Sequence, residues 1–197
     1  RAPWELSNTQ AWAYPSGNTA MSFTSTLNET ITLQVTGLDD TYAIKTATVT
    51  FANSNTGIVT TGTNQFFRIN RMQVTKGTAL DGISATNGGT TYSYISNANG
   101  ISQASTYTVP AGYTFYLTQS NWYTNQTGSQ TCLYRSYTQS ASGVINTILT
   151  FPFIDQYNSI KVVPRPYLEK TDIQWQVQSS TGTSRVGGQI EGYLISN

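Results

Sequence analysis

The chain is expected to fold as an all-β protein, an antiparallel β-sandwich over residues 28–197 preceded by an extended arm over residues 1–27, and three observations lead there. Apolar side chains recur at every second position in many short segments. Thr, Val, Ile and Tyr dominate those segments, and no stretch carries strong helical periodicity. Turn signals separate the segments at intervals of roughly ten residues, the spacing of sandwiches and barrels.

The clearest strand is 30–36, where Ile31, Leu33 and Val35 share one face and polar side chains the other. Ala43, Ala47, Val49 and Phe51 repeat the alternation around Lys45, and Asn53-Ser54-Asn55-Thr56-Gly57 then reads as a turn. Over 67–74 the phase slips: Phe67 and Ile69 lie on one side, Met72 and Val74 on the other. A β-bulge near Asn70 or Arg71, or a strand covered on both faces, accounts for the slip. Further strands are expected at 90–95, 104–109, 114–118, 133–137, 146–153, 160–163, 173–177 and 189–195. Between them stand Asn87-Gly88-Gly89, Asn99-Gly100, Pro110-Ala111-Gly112, Thr127-Gly128-Ser129, Ser142-Gly143 and Thr181-Gly182 as turns. No internal repeat points to a propeller or solenoid.

Residues 1–27 carry Trp4, Trp12 and Tyr14 with little alternation. Such rings are costly to leave in water, so the arm is expected against its own domain or a neighbouring subunit, with these three residues as assembly contacts.

Charged residues are only 10 % of the chain and the formal net charge is +1, so the surface is polar but nearly uncharged. Low charge favours association, which suggests a subunit packed among copies or partners. Lys and Arg are scattered without a basic stripe, so nucleic acid is not an expected partner. No apolar run approaches the roughly 20 residues that cross a bilayer as a helix, and no membrane association is expected. Cys132, the only cysteine, stands in an apolar and aromatic context that suits a buried, inert thiol.

Histidine is absent, which removes the commonest general base, the Ser-His and Cys-His nucleophile systems and the imidazole metal ligand together. Nine carboxylates remain. The pairs Asp39-Asp40 and Glu169 with Asp172 are the candidates for hydrolytic work or a cation, but turn chemistry explains both, and the calcium-loop spacing is missing. No catalytic residue, metal or cofactor is therefore expected. Trp122, Tyr123, Tyr134 and Tyr137 remain as a possible platform on which a sugar ring stacks; the alternative is that they pack within the sheets.

Four stretches, in this order, carry a resemblance: Phe67-Arg68-Ile69-Asn70-Arg71; Tyr107-Thr108-Val109-Pro110-Ala111-Gly112 leading into Phe115-Tyr116-Leu117-Thr118; Glu169-Lys170-Thr171-Asp172-Ile173; and Val186-Gly187-Gly188-Gln189-Ile190-Glu191-Gly192-Tyr193-Leu194-Ile195. Over residues 28–195 the chain resembles jelly-roll virion structural proteins of tailed bacteriophages, many of them marine. The resemblance implies a jelly-roll sandwich at the particle surface, a capsid decoration, head-fibre or appendage subunit without catalytic residues. Its expected partners are other virion proteins and copies of itself, a trimer by fold analogy, with the arm as anchor. The alternative it leaves open is a tail-fibre or spike module that recognises host glycans.

Overall fold

In the computed structural model, residues 14–97, 99–102, 105–124, 131–179 and 186–197 are described. They form an all-β protein in which every named strand pair is antiparallel. The described residues divide into two compact units, 14–102 and 105–197. Where the sequence predicts one sandwich domain, two separate apolar clusters form, one per unit.

The first unit contains β1 (Thr19–Ala20), β2 (Ser22–Leu38), β3 (Ile44–Gly62), β4 (Gln65–Phe66), β5 (Arg68–Lys76), β6 (Ile83–Asn87) and β7 (Thr90–Ile95). β2, 17 residues long, is its spine: β3 runs along one edge, while the other edge pairs first with β6 and then with β5. Beyond β7 the chain returns to β5, where Val74 N donates to Gly100 O and Ser102 N to Met72 O, so the sheet curls around its contents. Phe23, Leu33, Val35, Val49, Phe51, Phe66, Met72, Ile83 and Ile95 fill the interior.

Several sequence expectations change here. The arm does not reach Leu27, because residues 22–27 already belong to β2, and Phe23 is 1 % exposed in the core. The expected turn at 53–57 lies inside β3: Asn53 takes a positive φ of 53° and is skipped in the ladder between Glu29↔Ser54 and Thr30↔Ala52, so the turn-forming residues serve a bulge instead. The bulge in β5 is present, since Thr36 pairs with Arg71 and Gly37 with Ile69, leaving Asn70 extra.

Just after residues 25–28, which have no partner in β3, Glu29 turns inward and is fully buried. Its carboxylate accepts from Leu80 N at 3.0 Å, Asp81 N at 2.9 Å and Ser25 Oγ at 3.2 Å, which ties the 77–82 loop to the spine. At the far end of β2, Asp39 closes the turn into β3 by accepting from Thr41 Oγ1, Thr41 N and Ala43 N. These bonds, the Thr41 hydroxyl foremost, hold its carboxyl below the usual range despite some desolvation.

The second unit contains β8 (Thr106–Thr108), β9 (Tyr113–Thr124), β10 (Cys132–Gln139), β11 (Ile145–Phe153), β12 (Gln156–Tyr167), β13 (Asp172–Ser179) and β14 (Val186–Ser196). They make two sheets, ordered β11-β10-β13-β8 and β12-β9-β14. One apolar cluster joins the inner faces: Phe115, Leu117, Trp122 and Tyr167 from the three-stranded sheet, and Cys132, Tyr134, Phe153, Ile173, Trp175 and Val177 from the four-stranded one. Pro152, Pro164 and Pro166 all fall on the outer strands β11 and β12, where a missing N–H costs no central ladder bond.

Phe23→Ala should lower the unfolding free energy by about 3–5 kcal/mol, the cost of emptying a buried aromatic site. A denaturant titration reads it, and a change smaller than about 0.5 kcal/mol, ordinary for an exposed arm residue, would contradict the placement of Phe23 in the core.

Candidate functional site

The two motif turns of the second unit meet. After β8, Val109-Pro110-Ala111-Gly112 turns the chain into β9, with Gly112 at φ 76°. After β12, Glu169-Lys170-Thr171 turns it into β13, with Lys170 at φ 60°. Val109 N donates to Thr171 O at 3.0 Å and Lys170 N to Val109 O at 2.9 Å, so the turns clasp through their backbones. Gly112 N donates to Glu169 Oε2 at 2.6 Å, and Thr108 Oγ1 to Asp172 Oδ1 at 2.5 Å. The last residue joins them: Asn197 N donates to Gly112 O at 2.9 Å and Thr114 Oγ1 to Asn197 Oδ1 at 2.7 Å.

Glu169 thus ties one turn to the other, while Asp172, 3 % exposed, accepts from its cross-strand partner Thr108. Asp39 is likewise engaged by its own turn and by Lys45 Nζ at 3.5 Å, while Asp40 accepts from Asn18 Nδ2 at 2.9 Å. Among the described residues no three His, Cys, Asp or Glu side chains gather in a way that would hold a metal ion.

The four aromatic residues considered as a sugar platform are not brought together on a surface. Trp122 and Tyr134 pack against one another in the core with ring centroids 5.5 Å apart, and Tyr134 continues into Phe151 at 5.0 Å and Tyr157 at 5.8 Å. Tyr137, further along the same strand as Tyr134, points from the opposite face of the sheet. There its hydroxyl donates to Gln174 Oε1 and accepts from Gln176 Nε2, and Arg135 Nη2 donates to Gln176 Oε1 at 2.7 Å. Tyr123 is 60 % exposed, the one open ring of the four. Of the assembly residues, Trp4 and Trp12 lie outside the described residues. Tyr14 is half-buried beneath the Arg68 guanidinium, which stands 4.0 Å from its ring centroid and also donates to Pro15 O at 3.3 Å. Tyr14 is therefore held by its own chain.

The last motif owes its glycines to β9. Gly187 pairs with Tyr123 and Gly188 with Trp122, and a Cβ on either would collide with the aromatic ring opposite. Gly192 likewise leaves room for Phe115. Bare backbone lets large rings lie flat across the neighbouring strand.

What sequence reasoning missed is an open apolar edge. Ile160 of β12 pairs with Gln119 and Arg165 with Leu117, so Lys161-Val162-Val163-Pro164 bows out of the ladder opposite one skipped residue, Thr118. Val162 is 97 % exposed, Val163 80 % and Ile160 69 %, and Leu168 just beyond is 70 % exposed. The sequence predicts an ordinary half-buried strand at 160–163. Alternation alone does not distinguish a side chain facing a core from one facing a partner.

Burial raises the phenol of Tyr107 to about 12, and it also raises those of Tyr134, Tyr137 and Tyr167. A folded value above the unfolded value of 10.0 means the contribution is complete below pH 10 and lost as pH climbs toward the folded value. Stability should therefore fall from about pH 10 upward, with the tyrosinate absorbance of these residues appearing together with unfolding. Smooth ionisation of all tyrosines near pH 10 in the native protein would contradict it. In a second test, Gly188→Ala should cost about 1–3 kcal/mol, the usual range for overpacking, read by thermal or chemical unfolding.

Compared with protein families, curated proteins and solved structures, the chain matches none.

Proposed function

We propose that this chain is a structural subunit of a tailed-phage particle, a capsid decoration, head-fibre or appendage component at the virion surface that works by contact with other virion proteins and with its own copies. One observation carries the contact role: aliphatic side chains bowed into solvent on an outer strand, in a protein with very few charges. Exposed apolar groups concentrated in this way mark association surfaces. The candidate carboxylates add support, because each accepts a hydrogen bond from its own chain, Asp39 and Glu169 at turns, Asp40 from Asn18 and Asp172 from Thr108. The phage assignment itself rests on the four-motif resemblance.

Ser105–Asn197 is, on this proposal, a jelly roll. Its pairs nest about the β10–β11 turn: β10 with β11, β9 with β12, β8 with β13. A long antiparallel hairpin folded over into two sheets produces this nesting, as in eight-stranded jelly rolls. The glycan-binding alternative would need several rings on one exposed surface, and only Tyr123 of the four has that exposure.

Anchoring is assigned to the β12 edge in addition to the arm, whose deletion over residues 1–27 would also take Phe23 out of the first core. Repeated sites on a particle make modest contacts sufficient. The double substitution Val162→Asp and Val163→Asp should reduce incorporation into particles by about tenfold or more. The thermal midpoint should stay within about 2 °C of the original, as expected for exposed positions. Normal incorporation, measured by protein content of purified particles, would refute the edge as the contact surface. Finding the chain nowhere in the particle would refute the virion role.

A further inference from the structure

The outer face of the three-stranded sheet has a composition that core packing does not explain. Alternation along β9 turns Phe115, Leu117, Ser120 and Trp122 inward, with Thr118 as the skipped residue between the two pairs. Tyr116, Gln119, Asn121 and Tyr123 therefore point outward. The ladder with β14 extends each of them into a row: Tyr116 beside Tyr193, Gln119 beside Glu191, Asn121 beside Gln189 and Tyr123 beside Gly187. On its other side Asn158 of β12 lengthens the Asn121 row. Rings thus stand at both ends of this face and amides across its middle.

The rings are held with faces open. Tyr116 and Tyr193 stack with centroids 5.4 Å apart and planes 14° from parallel, and Tyr193 is 46 % exposed. At the opposite end a Cβ on Gly187 would lie 2.2 Å from Tyr123 Cζ, so that ring rests on bare backbone, and its 60 % exposure leaves the other side to solvent. The negative face of such a ring attracts the weakly positive C–H groups of a pyranose, and the phenol adds a hydrogen bond.

The middle of the face suits hydroxyl groups. Gln119, Asn121, Asn158 and Gln189 each offer a donor and an acceptor, and a sugar hydroxyl is both at once. Asn121 Oδ1 is covered and has no hydrogen-bond partner among the described residues, a cost that a hydroxyl donor removes once the amide turns outward. Glu191 is the one ionised side chain in these rows, and its Oε1 accepts from Gln189 Nε2 at 2.8 Å. A polyanion would find no cation here, and a protein partner would meet amides where an interface centre needs apolar area. From Tyr116 to Tyr123 the strand covers roughly 20 Å at about 3.3 Å per residue, which calls for a chain of several sugars and not a single ring.

We propose that this face binds an uncharged oligosaccharide, with sugar rings stacked on Tyr123 and on the Tyr116–Tyr193 pair and hydroxyls bonded to the amides between. Of the four aromatic residues singled out in the sequence only Tyr123 takes part. The proposal is independent of the virion role and does not use Val162 or Val163.

Titration of the full chain with neutral hexasaccharides from cellulose, mannan, starch and chitin, followed by NMR, tests it. At least one should bind at millimolar concentration, shifting the ring signals of Tyr116, Tyr123 and Tyr193 while those of Trp122, Tyr134 and Trp175 stay in place. Tyr123→Ala and Tyr193→Ala should each weaken that binding by about threefold to tenfold, the worth of one stacked ring, with the thermal midpoint kept within a few degrees. Absence of binding by all four sugars, shifts confined to other residues, or unchanged affinity in both variants overturns the proposal. Binding of an acidic oligogalacturonide in preference to every neutral sugar overturns the assignment to an uncharged ligand.

Discussion

Burial of aromatic rings between two sheets is the constraint on which the second unit depends. Trp122, Tyr134, Phe153, Tyr167 and Trp175 come from five strands in both sheets and share one cluster, so no sheet can keep its position without the other. Rings of this size contribute more apolar area than any aliphatic residue, and a unit with few charges has little else to hold it. The glycines of β14 follow from the same demand. Gly187, Gly188 and Gly192 are bare because Tyr123, Trp122 and Phe115 lie across them.

The polar bonds have a different task, which is to set where the chain turns. Glu29 draws the 77–82 loop onto β2, Asp39 closes the turn into β3, Glu169 ties the turns beside Pro110, and Asp172 accepts from its cross-strand partner Thr108. A carboxylate that accepts several N–H or O–H bonds is held in one orientation by them. The same residue types that raise the question of catalysis in the sequence thus serve as fixed points of the backbone.

The outer skin divides into two kinds of edge. The β12 edge bows out of register and carries aliphatics into solvent, while Pro164 and Pro166 and the irregular ladder limit simple strand addition there. The β14 edge is regular except for one skipped residue and leaves part of the inner face uncovered. One edge turns aliphatic side chains into solvent, and the other presents a nearly regular ladder edge, so the two strands that flank β9 differ in what they expose.

Local periodicity and turn chemistry were enough to determine the strands at 30–36 and 173–177, the phase slip beside Asn70 for which a bulge was one of two accounts, and the turn at Pro110-Ala111-Gly112. All are legible in the chain because alternation and turn chemistry are properties of neighbouring residues. Tertiary contacts settled the features that depend on distant chain. The run 53–57 has the composition of a turn, but the long ladder with β2 carries the strand through it. Phe23 belongs to a core that only the pairing of β2 with β6 creates. Trp122 and Tyr134 meet across the sandwich, while Tyr137, an odd number of positions from Tyr134, is turned to the opposite face. Pairing partners, and with them the assignment of each apolar side chain to an interior or to an exposed edge, are set by contacts between residues far apart in sequence, and no local pattern encodes them.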